Sequence, residues 1–406
     1  MKRSFFQQVA SFFAFLCIVF IPFPFNLIKF QSVVTDVCFG RLIGFVAKNI
    51  FGQTLTSTRV YSDSSSMYIL VLLLFIIALL ISLVSRLVKR WPLYSPPILG
   101  VIYRLSICYL ALQLLKYGID KIFKNQFYLP EPNTLYTPIG NVSRGLLFWT
   151  SMGTSHFYNI FLGSLEAIAA IFILIRRTRL LGLLMSGGIL MNIIAINFGF
   201  DISVKLFSLF LLYLTLYGLA PYITRLLPLL LLHKSPGATV SSVSVLVPAK
   251  TFVGTFLKWL VTGLIFLEVF YPFIQAGNFN GDITGKPYLH GAYEVKQVIT
   301  GTDTLSAKDF PVKRFFIHRN GYLIFQDQED GMQDYKLTYN TDGSTFILTD
   351  YQLHKMILTY SYQPLDSVLV LQYFKAGKEY RLNGKAINWE KLPAVQKGFH
   401  WTVNNR

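Results

Sequence analysis

Residues 157–175, FYNIFLGSLEAIAAIFILI, decide the fold class. Apart from Tyr158, Asn159 and Ser164 the run is apolar, with one charged side chain, Glu166, near its middle. At 1.5 Å per residue it spans about 28 Å, enough to cross the roughly 30 Å hydrocarbon core of a bilayer. A charge at that depth costs roughly 2.5–3.5 kcal/mol even on the gentler insertion scales, so it persists only where it faces a bundle interior or a polar cavity. Glu166 therefore marks the inside of a helical bundle. Around it, residues 103–206 carry further polar groups in apolar runs: Arg104, Lys116, Asp120, Asn192, Asn197, Asp201 and Lys205.

Composition agrees with a membrane protein. Of 406 residues, 53% are hydrophobic and only 14% charged, against about a quarter charged in soluble domains. The net charge of +17 raises nucleic acid as a partner. The Lys and Arg residues lie between apolar runs, however, a pattern that orients spans in a bilayer and argues against nucleic acid. Cys17, Cys38 and Cys108 are far apart and form no CxxC or zinc spacing.

Seven spans are expected. A basic start (Lys2, Arg3) leads into an apolar run to about residue 30, ended by Pro22 and Pro24, with no small-x-small cleavage site. Residues 33–51 are amphipathic and fit the membrane interface. The remaining spans fall at about 67–88, 98–123, 156–175, 180–198, 204–222 and 252–275, with Pro92, Pro96 and Pro97 read as a loop before the third. Arg86, Lys89, Arg90, Arg176, Arg177, Arg179, Arg225, Lys234 and Lys250 then share one side with the N-terminus. This predicts a cytoplasmic N-terminus and places everything after residue 275 in the periplasm of a bacterial inner membrane. The Pro- and Gly-containing stretch 124–153 falls on that outer side. It is too long for a simple connection and suits a lid over the bundle.

From residue 277 the pattern changes. Asn320-Gly321 and Asp342-Gly343 each separate two alternating runs, the signature of tight hairpins. Further alternating runs at 356–362, 367–374 and 379–382 predict an all-β domain, a meander or small barrel. The expected organisation is a two-span region (1–97), a four-helix bundle (98–225), a linker with the seventh span (226–276) and the β domain (277–406).

The polar groups in the spans suit a pocket for the head of a lipid-soluble molecule, or a proton relay. The competing reading is that they only hold helices together, Lys116 with Asp120 or Glu166 and Asp201 with Lys205. His156 opens the fourth span and is a weaker candidate. His233, His290, His318, His354 and His400 show no metal spacing.

RLSICYLALQLLKYGIDKIF (104–123), GLLFWTSMGTSHFYNIFLGSLEAIAAIFILIRRTRLLG (145–182) and MNIIAINFGFDISVKLFS (191–208) resemble the four-helix core of DoxX-like membrane proteins, and GFHW at 398–401 resembles a motif ending its longer bacterial members. The resemblance implies a four-helix bundle, and some relatives are membrane subunits of thiosulfate:quinone oxidoreductases or of thiol-redox systems. On it, Lys116, Lys121, Glu166, Asn192, Asn197, Asp201 and Lys205 match the family's polar positions, while no cysteine pair is present for a dithiol mechanism. The combined expectation is a quinone or similar lipophilic ligand. Glu166 and Lys116 act on it, and Asp120, His156, Asn192, Asn197, Asp201 and Lys205 bind it. The alternative is a non-catalytic envelope subunit whose β domain docks a partner protein.

Overall fold

The computed structural model describes residues 5–223, 252–396 and 398, apart from 24, 28, 29, 302, 307–309, 341, 342 and 376. Arg225, His233, Lys234, Lys250, Asp342, His400 and most of the GFHW stretch lie outside the described residues. The chain forms two compact units, Met1–Phe123 with Ile160–Phe279, and Lys124–Asn159 with Asn280–Arg406.

The first unit is helical. Its helices are α1 (Phe5–Phe20), α2 (Gln31–Asn49), α3 (Ser65–Leu87) and α4 (Trp91–Ile122); α5 (Pro132–Leu135) and α6 (Arg144–Thr154) belong to the second unit; then follow α7 (His156–Leu174), α8 (Arg179–Gly199), α9 (Lys205–Leu219) and α10 (Phe252–Ala276). Six segments are long and apolar enough to cross a membrane, namely α3, α4, α7, α8, Lys205–Tyr222 and Phe256–Ala276. The expected first span is shorter than the sequence suggested. Pro22 stands two positions past the end of α1, which has 16 residues.

Buried side chains satisfy the carbonyls left open at that end. Gln31 Nε2 donates to the carbonyls of Ile18 (3.1 Å) and Val19 (3.0 Å), and Thr35 Oγ1 to that of Phe20 (2.8 Å). Leaving such groups unpaired in an apolar setting costs several kcal/mol each. A second departure concerns Pro96 and Pro97, which lie inside α4 and do not form a loop. Pro92 occupies the first turn, where a missing N–H costs nothing. The other two prolines follow one turn later, each at the cost of one helical hydrogen bond.

Glycines set the closest helix crossings. A Cβ on Gly118 of α4 would lie 2.7 Å from the Gly163 carbonyl of α7 and 3.0 Å from Ala167 N. Gly182 of α8 meets the α7 backbone in the same way, with Ile173 N at 2.6 Å. Gly218 of α9 receives Leu183 of α8 and Ile107 of α4, and the Tyr103 hydroxyl donates to its carbonyl (3.0 Å). Helices α4, α7, α8 and α9 thus pack in succession through small residues, as expected where lipid removes the hydrophobic drive between helices. Gly118→Ala is expected to separate α4 from α7 at a cost of about 1–3 kcal/mol. Thermal melts of the purified protein check this, and an unchanged midpoint would mean the crossing is loose.

The second unit is built on a closed antiparallel barrel. Its strands are β1 (Gly291–Thr300), β2 (Asp303–Ser306), β3 (Val312–His318), β4 (Tyr322–Asp327), β5 (Met332–Tyr339), β6 (Thr345–Thr349), β7 (Lys355–Gln363), β8 (Val368–Lys375) and β9 (Lys378–Ile387). From β3 each strand pairs with the next, and β1 closes the ring against both β3 and β9. Eight strands therefore close, and β2 extends the second half of β1. The interior is filled by Tyr293, Phe315, Phe346, Leu358, Leu371 and neighbours, as a barrel of this size permits. Gly321 turns the β3–β4 hairpin at φ +71°, where a side chain would be strained.

Segment 129–136 packs on the outside of this barrel. Leu129, Leu135 and Tyr136 meet Ala292, Phe316, Ile324 and Trp389. Asp282 accepts from Leu129 N (2.6 Å), and Gln326 Nε2 donates to the Tyr136 carbonyl (3.0 Å).

Candidate functional site

The last two turns of α4 carry Lys116, Asp120 and Lys121. Lys121 Nζ lies 2.8 Å from Glu166 Oε2 of α7, both side chains being less than a tenth exposed. The Gly118–Gly163 crossing brings the two helices close enough for this short pair. Lys116 points elsewhere, 3.7 Å from Glu268 of α10 and over the Phe23 ring at 4.9 Å. Glu268 also accepts from the backbone N–H groups of Asn26 (2.5 Å) and Leu27 (2.9 Å), and so ties down the chain reversal after α1. Asp120 is half-buried and within electrostatic reach of both Lys116 and Glu166. Five ionisable groups from three helices thus gather at one end of α4.

The other expected site residues lie among different partners. Asn197 is buried and donates to Ser208 Oγ (3.1 Å), joining α8 to α9. Asp201 and Lys205 form a 2.7 Å pair one turn apart, with Asp201 largely exposed. The carboxylate of Asp63 caps α9, accepting from the backbone N–H groups of Lys205 (2.8 Å) and Leu206 (3.0 Å). Asn192 and His156 are exposed. The structure places Asp120 within electrostatic reach of both Lys116 and Glu166, which have different ion-pair partners, and sets Asn197, Asp201 and Lys205 in a second group at the α8–α9 turn. Two members of the first group are not among the site residues expected from the sequence. Lys121 enters there only as a polar position matched through the family resemblance, although it stands one position from Asp120. Glu268 carries the same signal as Glu166, a lone carboxylate in a mostly apolar helix.

A second polar centre lies in the barrel unit. Glu131, 4% exposed, sits between Pro130 and Pro132 and opens α5. Its carboxylate meets His290 Nε2 (2.8 Å), Arg319 Nε (2.5 Å) and Arg319 N (3.1 Å). Burial alone would raise its pKa, but the hydrogen bond and charge of His290, with Arg319 and His318, hold it down at about 2. Arg319 also donates to the Gly281 carbonyl (2.7 Å) and stacks over Tyr128 at 4.0 Å. Beside this knot is a cavity of about 170 Å³ walled by Gln126, Phe127, Tyr128, Glu131, Trp149 and His318. Among the described residues, no group of three or more His, Cys, Asp or Glu side chains can hold a metal ion.

Compared with known proteins, the chain matches no family model and no solved structure. Over 111 residues it is 36% identical to the uncharacterized protein YwoB of Bacillus subtilis (strain 168), a match spanning 27% of this chain and 68% of that protein. The chain belongs to the YwoB family. That relative is itself uncharacterized and brings no activity with it. The chemistry must therefore be argued from the charged groups of the bundle and of the barrel unit.

Proposed function

We propose that the protein is a multi-pass membrane protein whose α4 cluster holds the polar head of a lipophilic molecule, a quinone being the class that fits a proton-exchanging site. Glu166 handles the proton, and Lys116, Asp120 and Lys121 orient the head. The observation that carries this reading is the burial of the Lys121–Glu166 pair, 7% and 3% exposed, beside Asp120 and on helices apolar enough to cross a membrane. A network gathered only to hold helices gains little from buried pairs, since well-packed apolar residues serve as well or better. Ionisable groups kept in such a setting favour proton exchange or a polar ligand.

The segment order supports a consistent topology. Residues 124–159 and 280–406 form one unit, so an even number of crossings must separate them. Among the described residues four candidate spans lie between, α7, α8, α9 and α10. Arg86, Lys89 and Arg90 before α4, and Arg176, Arg177 and Arg179 after α7, then fall on the opposite side from the barrel. By the positive-inside rule that side is the cytoplasm and the barrel is periplasmic.

The second reading is an envelope subunit whose barrel docks a protein. It is favoured by Tyr351, Leu353, Ile357 and Phe374, each at least 65% exposed, near the β6–β7 turn and the end of β8. Native purification in mild detergent, with mass spectrometry of extracted lipids and bound proteins, separates the two. The first reading expects a ring-carbonyl lipophile in the native protein, depleted at least tenfold in Lys121→Met/Glu166→Met. Equal content in both proteins, or a stoichiometric partner protein with no lipophile, would overturn it.

A further inference from the structure

The charges of the helical unit are sorted by sign as well as by number. The sequence has 20 acidic residues, yet none lies in 64–119, 167–200 or 202–267. Those intervals hold the turn from α3 to α4, with Arg86, Lys89 and Arg90, and the turn from α7 to α8, with Arg176, Arg177 and Arg179. Between the two turns α4 and α7 are the candidate spans, so two crossings return the chain to the same side of the bilayer. Lys and Arg orient a membrane protein, whereas Asp and Glu contribute little. Topology therefore accounts for the cations of this side but not for the exclusion of acids from it.

Two of these cations are committed within the fold. Arg86 lies over the Phe5 ring at 4.6 Å, and Arg179 Nε donates to the Ile173 carbonyl (2.9 Å). Lys89, Arg90, Arg176 and Arg177 are exposed, and none has a carboxylate partner among the described residues. Each pair adjoins exposed apolar side chains on or next to a candidate span. Leu87 and Leu93, 82% and 70% exposed, flank Lys89 and Arg90, and Ile175 and Leu181, 45% and 50% exposed, flank Arg176 and Arg177. Tyr94 is exposed beside the first pair, and tyrosine is enriched at the level of lipid headgroups. Free cations set against apolar surface match an amphiphile with an anionic head; a soluble anion would leave the apolar part uncovered.

We propose that these two turns are docking surfaces for anionic phospholipid. Lys89 and Arg90 hold the headgroup at one turn, Arg176 and Arg177 hold it at the other, and the acyl chains lie against the exposed apolar side chains. The guanidinium forks take two phosphate oxygens at once, and the ammonium acts as a point charge. A zwitterionic lipid brings a phosphate too, but its own ammonium is repelled by the same cations. With no carboxylate nearby to compete, the local field stays attractive to net negative charge. This surface presupposes the multi-pass reading but not a lipophile at the α4 cluster.

The test uses the full chain in phosphatidylcholine vesicles, with spin-labelled phosphatidylglycerol or spin-labelled phosphatidylcholine as the probe. The readout is the motionally restricted fraction in the electron spin resonance spectrum, and symmetric vesicles make it independent of the protein's orientation. The native protein is expected to favour phosphatidylglycerol by about threefold or more at low salt, and by less in about 1 M salt. Lys89→Gln/Arg90→Gln and Arg176→Gln/Arg177→Gln are each expected to lower this preference, and the variant with all four changes to hold the two lipids about equally. Lys355→Gln/Lys385→Gln removes two exposed charges from the barrel and is expected to leave the preference unchanged. Thermal melts matching the native protein show which variants are folded, and either turn's variant suffices should the other unfold. Retention in the vesicles through an alkaline carbonate wash checks the multi-pass reading separately; release at that step overturns that reading and this surface with it. In a retained protein, equal association of the two lipids with the native chain, an undiminished preference in the folded turn variants, or an equal loss in the barrel variant overturns the proposal alone.

Discussion

The Glu166→Gln protein is expected to be less stable than the native one by about 3–5 kcal/mol, because the Lys121 ammonium loses the carboxylate it faces at 2.8 Å. Both side chains are almost fully buried, so water cannot replace the lost partner cheaply. Loss of activity in this single variant would therefore not by itself identify Glu166 as the proton-handling group. The informative comparison is Lys121→Met/Glu166→Met. Removing both charges leaves neither member of the 2.8 Å pair without its partner, and apolar replacements of buried pairs range from neutral to stabilising by about 1–4 kcal/mol. The double variant is expected to melt near the native midpoint in detergent while failing to retain the lipophile. If Glu166→Gln melts like the native protein, Lys121 has another anchor of equal strength and the pair is not the strut of the α4–α7 crossing.

The long helices and most strands were legible because their signals are local, whereas α5 and α6 fall in the Pro- and Gly-containing stretch read as an irregular lid. Apolar runs of about twenty residues located the six described helical segments long and apolar enough to cross a membrane, while the expected first span is the shorter α1. The runs flanking Asn320-Gly321, with the later alternating ones, located β3 to β9 to within a few residues. Strand β1 was not legible. A bulge between Val295 and Gln297 breaks its alternation, so that Val295 and Val298, three apart, both point inward. The strand that closes the barrel was therefore hidden by the irregularity within it. The site was legible in part. Depth in an apolar run singled out Glu166, and its partner Lys121 lay in plain view near the helix end, but which lysine reaches which carboxylate depends on helix rotation. Lys116 and Lys121 are five positions apart, about 140° around the helix at 3.6 residues per turn, and so meet different neighbours. The Glu131 knot was illegible for another reason. Its members are separated by 159 and 188 positions, and no spacing rule links residues that only the docking of segment 129–136 on the barrel brings together.

That knot supplies the other large effect. Glu131→Gln is expected to destabilise the barrel unit by about 3–5 kcal/mol, chiefly by leaving the Arg319 guanidinium, 8% exposed, without its carboxylate. Acid should do the same to the native protein by protonation. The carboxyl of Glu131 titrates at about 2 when folded against an ordinary 4.5, a difference worth roughly 3 kcal/mol. Because the folded value is the lower one, this stability is fully present above pH 4.5 and is lost as pH falls from there toward 2. Thermal melts of the native protein followed by near-ultraviolet circular dichroism should therefore show a midpoint that declines below about pH 4.5. The Glu131→Gln protein, lower at neutral pH, should decline less over the same interval and so converge on the native curve. Parallel curves for the two proteins would show that Glu131 is not the group whose protonation loosens segment 129–136 from the barrel.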